Sequence, residues 1–202
     1  MGATFNDMIR RMKVFLFAVT AAFAVAIIGS PGLPAGAAAD SGPPIAGQVQ
    51  NYEPLATPVA VPDVTVLDRE DGPVTLDRFK GKFVVLNFWA TWCGPCIREL
   101  PSLARLNTAL GGETAQVVLV SQDRGGFKQT DRFLKKLQVE FPDNFIDERL
   151  KFSRAIGVVS LPTTILIGPD GKEVGRLVGH AEWDSPEALA LIDWYRNGAG
   201  ES

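Results

Sequence analysis

Apolar residues follow two rhythms along this chain, and the switches between them mark out the elements. Phe83 to Trp89 (FVVLNFW) is a nearly continuous apolar, β-branched and aromatic run, which predicts a central strand buried on both faces. From about Cys93 to Leu110 the rhythm becomes helical, with Leu100, Leu103, Leu106 and Leu110 on a recurring face, and Gly111-Gly112 ends the helix. Gln116 to Val120 predicts a second buried strand. Phe127 to Leu137 predicts a helix with Phe133, Leu134 and Leu137 on one side, and Arg149 to Ile156 a further helix stopped by Gly157. Thr163 to Ile167 and Glu173 to Val178 read as strands joined by the turn Pro169-Asp170-Gly171-Lys172. Ser185-Pro186-Glu187 supplies an N-cap and a proline at N1 for a last helix running to about Arg196. Ahead of the central strand come a short strand at Val64 to Leu67, a turn at Gly72-Pro73 and one helical turn at Thr75 to Lys80. A parallel unit followed by a hairpin and a helix predicts the α/β class, with a central mixed β-sheet and helices on both faces.

The pattern before residue 62 is of another kind. Arg10, Arg11 and Lys13 precede the apolar run Val14 to Ile28, and Ala37-Ala38-Ala39 follows it. A basic region, an apolar region and a small-residue site are the three parts of a secretory signal peptide. As a helix the apolar run would span roughly 22 Å, short of the roughly 30 Å of a bilayer core. Cleavage after about Ala39 and retention as an uncleaved anchor both remain open, and either one exports the domain. Asp40 to Pro62 carries Pro43, Pro44, Pro54, Pro58 and Pro62 without a sustained period and reads as a tether. The expected division is a signal peptide or N-terminal membrane anchor at 1–39, a Pro-rich linker at 40–58, a globular domain at 59–197 and a tail at 198–202.

Composition narrows the function. Of 202 residues 46% are hydrophobic, enough for a sizeable core, and the net charge of −3 argues against a general nucleic-acid binder. There are two cysteines and one histidine, too few ligands for a zinc site. His180 lies outside the motif stretches and reads as a surface or loop residue.

The chemistry is in Trp92-Cys93-Gly94-Pro95-Cys96, between the buried strand and the long helix. Cysteines at i and i+3 on a first helical turn lie about 5–6 Å apart, within disulfide range. A structural bridge closing so short a loop would constrain the unfolded chain very little, which favours redox chemistry. Cys93, at the helix N-terminus, meets unpaired N–H groups and the positive end of the helix dipole; such placement lowers a thiol pKa and makes Cys93 the nucleophile. Cys96, one turn inward, is the resolving thiol.

These residues resemble thioredoxins, and more closely the TlpA/ResA-like, CcmG-related branch of exported thiol-disulfide reductases. The resemblance is carried by VVLNFWATWCGPCIRELP (Val84 to Pro101), GVVSLPTTILIGPDG (Gly157 to Gly171) and VGHAEWDSPEALAL (Val178 to Leu191), and spans about residues 60–197. It implies a thioredoxin fold, and it implies that Pro162 is the cis-proline facing the cysteine pair. Glu99 then takes the place of the active-site glutamate of ResA-like proteins. It shares a helix face with Cys96, and if partly buried it can take the Cys96 proton. An ordinary first-turn carboxylate favoured by the helix dipole is the other reading. Trp92, with Leu161 and Pro162, would form the substrate-docking surface, though simple packing also accounts for Trp92. Thioredoxins carry a buried aspartate where this chain has Asn87, so proton transfer moves to Glu99 or to solvent.

The resemblance implies a monomeric reductase of protein disulfides, without cofactor or metal, on the periplasmic side of a bacterial inner membrane. Its implied targets are the haem-site cysteines of apocytochrome c or copper-site cysteines in cytochrome oxidase assembly, and its electrons come from a membrane donor of CcdA or DsbD type. Gly-Pro between the cysteines, the thioredoxin dipeptide, points to a low potential. The competing expectations are a periplasmic disulfide oxidase or isomerase and a copper-site assembly protein, which would want extra Met and His ligands.

Overall fold

The computed structural model describes residues 42–70 and 72–198, so the leader expected at 1–39 and nearly all of the tail at 198–202 lie outside the described residues. Eight strands form one sheet: β1 (Tyr52–Ala60), β2 (Val66–Leu67), β3 (Pro73–Val74), β4 (Phe83–Trp89), β5 (Ala115–Ser121), β6 (Asn144–Ile146), β7 (Thr163–Ile167) and β8 (Lys172–Val178). The helices are α1 (Gly94–Leu110), α2 (Gly126–Leu137), the short α3 (Lys151–Ala155) and α4 (Pro186–Arg196). The sheet order is β1-β8-β7-β4-β5-β6-β2-β3. β4, β5 and β6 are parallel neighbours, whereas β7 joins β4 antiparallel and continues antiparallel through β8 to β1. Among the described residues no helix is long and apolar enough to cross a membrane.

The unbroken apolar run of β4 has its cause in cores on both faces. Phe83, Val85 and Trp89 pack with Leu100, Leu103 and Leu106 of α1 and Leu191 and Ile192 of α4. Val84, Leu86 and Phe88 face the other way, toward Phe79, Phe152 and Ile156. Every residue of β4 and β5 is buried. The mixed sheet covered on both sides is the α/β arrangement the pattern predicts.

The structure differs from the expectation in three respects. From Tyr52 on, the stretch expected to be a linker is the nine-residue edge strand β1, which pairs Tyr52 with Leu177 and Ala60 with Lys172. Only Tyr52 of β1 is buried, so no alternation marks the strand, and an edge tolerates Pro54 and Pro58 because it need not donate on both sides. Tyr52 packs edge-on against Tyr195 with ring centroids 6.0 Å apart. Gly175 makes room for it: a Cβ there would lie 2.3 Å from the Tyr52 hydroxyl. Secondly, the helix expected over Arg149 to Ile156 is a 3-10 turn (Glu148–Leu150) followed by α3, because Arg149 and Leu150 both adopt left-handed backbone conformations. Thirdly, β3 and β6 have no counterpart among the predicted elements, since two and three residues are too few to show a period.

Tyr52→Ala is expected to destabilise the protein by about 3 kcal/mol, the cost of an aromatic-sized void. A urea midpoint unchanged from the parent would mean that β1 is the loose tether after all.

Candidate active site

The cysteines stand where β4 gives way to α1. Asp123 anchors the connecting turn, accepting from the Thr91 amide at 2.8 Å, the Thr91 hydroxyl at 2.7 Å and the Ser121 hydroxyl at 2.9 Å. Cys93 is the N-cap of α1, its Sγ accepting from the Cys96 amide at 3.2 Å, and Pro95 occupies the first turn, where a missing N–H costs nothing. The helix runs on across Pro101 and ends at Gly111 in the left-handed conformation. Cys93 and Cys96 form a disulfide with Cα atoms 5.3 Å apart. Cys93 is 5% exposed and Cys96 0%, so only the first sulfur borders solvent.

One turn further along α1 lies Glu99, a carboxyl with 0% exposure. Asn87 of β4 donates from Nδ2 to Glu99 Oε1 at 2.7 Å and to Thr164 Oγ1 at 2.9 Å, a contact that follows from the pairing of Asn87 with Thr164 across β4 and β7. The Ala181 amide donates to Glu99 Oε2 at 3.3 Å. Ser102 fastens the same loop: its hydroxyl donates to the Glu99 carbonyl at 2.8 Å and accepts from the Trp183 amide at 3.0 Å. Burial pushes the Glu99 carboxyl up to about 8, prevailing over the downward pull of Asn87 and the Ala181 amide. A carboxyl so placed holds its proton at neutral pH, on the helix face that carries Cys96. Asn87 Oδ1 has no hydrogen-bond partner among the described residues; a half-turn of the carboxamide would offer it to the protonated acid.

Around Cys93 the surface is open, apolar at Trp92, Val159 and Leu161 and polar at Gln122 and Arg154. A groove of about 560 Å³ is lined by Trp92, Cys93, Pro95, Val159 and Leu161. Trp92 is 67% exposed and Val159 91%, unusual for large apolar side chains unless a partner covers them. The Leu161–Pro162 peptide is cis, and Pro162 is buried at the entry to β7. Thus Trp92, Cys93 and Leu161 share one groove, Cys96 and Glu99 lie buried behind it, and His180 is exposed in the loop after β8. Thr164, Ser102 and Asp123 escaped the sequence reading. Each is a common polar residue with a partner distant in the chain, Thr164 with Asn87, Ser102 with Trp183 and Asp123 with Thr91, and of the three Thr164 lies inside a motif stretch, the one that carries Pro162.

Known proteins resemble this chain in sequence and in fold. The chain is 32% identical over 133 residues to the thiol-disulfide oxidoreductase ResA of Bacillus cereus (strain ATCC 10987 / NRS 248), a match covering 66% of this chain and 76% of the relative. A solved structure described as the thiol:disulfide interchange protein DsbE from Chlorobium tepidum matches with a TM-score of 0.59 and 30% identity, covering 68% of this chain and 99% of that one. The thioredoxin domain of a thiol-disulfide oxidoreductase from Bacteroides vulgatus matches in fold, with a TM-score of 0.60, 23% identity, and 71% and 99% of the two chains covered. The Redoxin family model matches residues 56–192, so the chain belongs to the Redoxin family and is a thiol-disulfide oxidoreductase of thioredoxin fold.

Proposed function

We propose that this oxidoreductase works in the reducing direction on protein disulfides outside the cytoplasm, exported or anchored by residues 1–39. The observation that carries the reading is the Cys93–Cys96 pair at the head of α1, with Gly-Pro between the cysteines and the buried acid Glu99 one turn behind. In the reduced protein, Cys93 at the helix N-terminus is the thiolate and attacks one sulfur of the substrate disulfide. The first substrate thiolate leaves and takes up a proton. Glu99 accepts the Cys96 proton when it is in its ionised form, a minority below about pH 8, and Cys96 attacks the Cys93 sulfur of the mixed disulfide, releasing the second substrate thiolate, which takes up a proton. Two electrons have then passed to the substrate, and the protein holds the Cys93–Cys96 disulfide. A membrane donor of CcdA or DsbD type returns it to the dithiol. Trp92, Leu161 and Pro162 form the docking surface; the groove over Cys93 supports the first two, which line it, whereas Pro162 is buried beside Leu161 in the chain. The relatives named ResA and DsbE support substrates among proteins of cytochrome c or cytochrome oxidase maturation.

The reduction potential of the Cys93–Cys96 pair tests the direction. Equilibration against glutathione or dithiothreitol, read by tryptophan fluorescence, is expected to give a value at or below about −220 mV, in the range of thioredoxin rather than of DsbA near −120 mV. A value close to −120 mV would make the protein an oxidase or isomerase.

A further inference from the structure

The groove over Cys93 does not end at the disulfide. Trp92, Gln122, Leu150 and Arg154 also line a second, larger groove of about 970 Å³, so the two form one continuous channel. Arg124 and Arg149 line its far part. All three arginines are exposed, and none makes an ion pair or side-chain hydrogen bond among the described residues. Elsewhere among the described residues Arg69, Arg78, Arg105, Arg176 and Arg196 are each paired with a carboxylate, while Arg98 and Arg132 are unpaired but stand outside the channel.

Two of the three acids that line the channel have their oxygens occupied and do not pair with these guanidinium groups. Asp123 is buried and spends both oxygens on the turn at Thr91 and on Ser121 and Gln129. Asp147 is buried too, accepting from the Phe152 amide at 2.9 Å and the Ser153 amide at 2.8 Å. Glu148 is the one exposed acid of the lining. Three exposed, unpaired guanidinium groups against one exposed carboxylate stand out on a chain whose net charge is −3. The backbone that carries Arg149 is in an uncommon conformation. Arg149 (φ 59°) and Leu150 (φ 58°) are consecutive non-glycine residues in the left-handed region, and such conformations persist only where the surroundings enforce them. Here Asp147 does so, accepting the Leu150 amide at 3.2 Å while capping α3.

We propose that this arginine-walled channel binds an acidic segment of the protein substrate lying next to its redox cysteine. Guanidinium groups bind carboxylates in paired hydrogen bonds, and exposed cations without a partner favour the encounter of an oppositely charged segment. Trp92 and Leu161 then hold the apolar residues around the cysteine while Arg124, Arg149 and Arg154 hold the acidic flank. The inference rests on the reading of protein disulfides as substrates and adds which of them react fastest.

The test uses three disulfide peptides, identical apart from a flank of three Glu, three Gln or three Lys, against the reduced full-length protein in stopped flow. The Glu peptide is expected to react about 10-fold or more faster than the Lys peptide at low salt, with the ratio falling toward one at high salt. In a triple variant Arg124→Gln, Arg149→Gln, Arg154→Gln the ratio is expected to fall to about one, and Arg154→Glu alone to shift it toward the Lys peptide. Because the Gln peptide is the reference within each variant, a general loss of activity leaves the ratio readable. Three peptides reacting alike, or a preference that survives the triple variant, overturns the proposal. So does a triple variant that loses rate only with oxidised glutathione, which would make the channel a glutathione site. The same ratio measured with oxidised protein and reduced peptides does not depend on the direction of electron flow. An oxidising potential would therefore sink the reductase reading alone.

Discussion

Cys96→Ser is expected to stop turnover and leave the protein joined covalently to its substrate through Cys93. The geometry sets the roles: Cys93 borders the groove at 5% exposure, whereas Cys96 at 0% meets no incoming sulfur. A substrate disulfide is therefore attacked by Cys93 and only then resolved by Cys96 from within. An intramolecular thiol held in place acts at an effective concentration that no external thiol reaches, so losing it slows release by at least about 10³-fold. A non-reducing gel or intact-mass measurement on the reduced variant mixed with a disulfide substrate should show the adduct, and Cys93→Ser should show none. An adduct that forms on Cys96 in Cys93→Ser would reverse the two assignments.

How much of this site is legible in the sequence follows from the range of the interactions that build it. The cysteine pair and its helix are local, fixed by a strand, a turn and a proline within a few residues, and residues 83–110 can be read off directly. The continuous apolar run of β4 announces burial on both faces, since a run without polar breaks has no solvent side. The edge strand β1 is hidden for the opposite reason: it buries one residue, and its prolines imitate a linker. The bend at Arg149 and Leu150 is invisible because neither residue favours the left-handed region, and the group enforcing it, Asp147, has the look of any loop aspartate. Glu99 falls between these cases. Its place on the Cys96 face follows from helical spacing, but what makes it an acid is burial against Asn87, Thr164 and the loop at Ala181, contacts from three distant segments.

That burial gives Glu99→Gln two effects with one cause. When an external thiolate opens the disulfide at Cys93, Cys96 must leave as a thiolate into a site without solvent, and Glu99, protonated at neutral pH, is the group able to neutralise it. Replacing it with glutamine keeps the shape and removes the proton, so reduction of the disulfide at pH 7 should slow by about 10²-fold. Expressed per attacking thiolate, the parent rate should fall as pH rises through about 8, where the acid ionises, while the variant stays flat. Stability should move with it. A carboxyl raised from 4.5 to about 8 by burial binds its proton more tightly in the folded state. Its contribution to stability is therefore complete below the lower value and is lost as pH rises through the upper one, at about 1.4 kcal/mol per pH unit between them. Melting curves of the oxidised protein from pH 5 to pH 9 should show Glu99→Gln overtaking the parent at the alkaline end. Parallel melting curves, together with an unshifted rate profile, would leave Glu99 as a passive carboxylate and return the Cys96 proton to solvent.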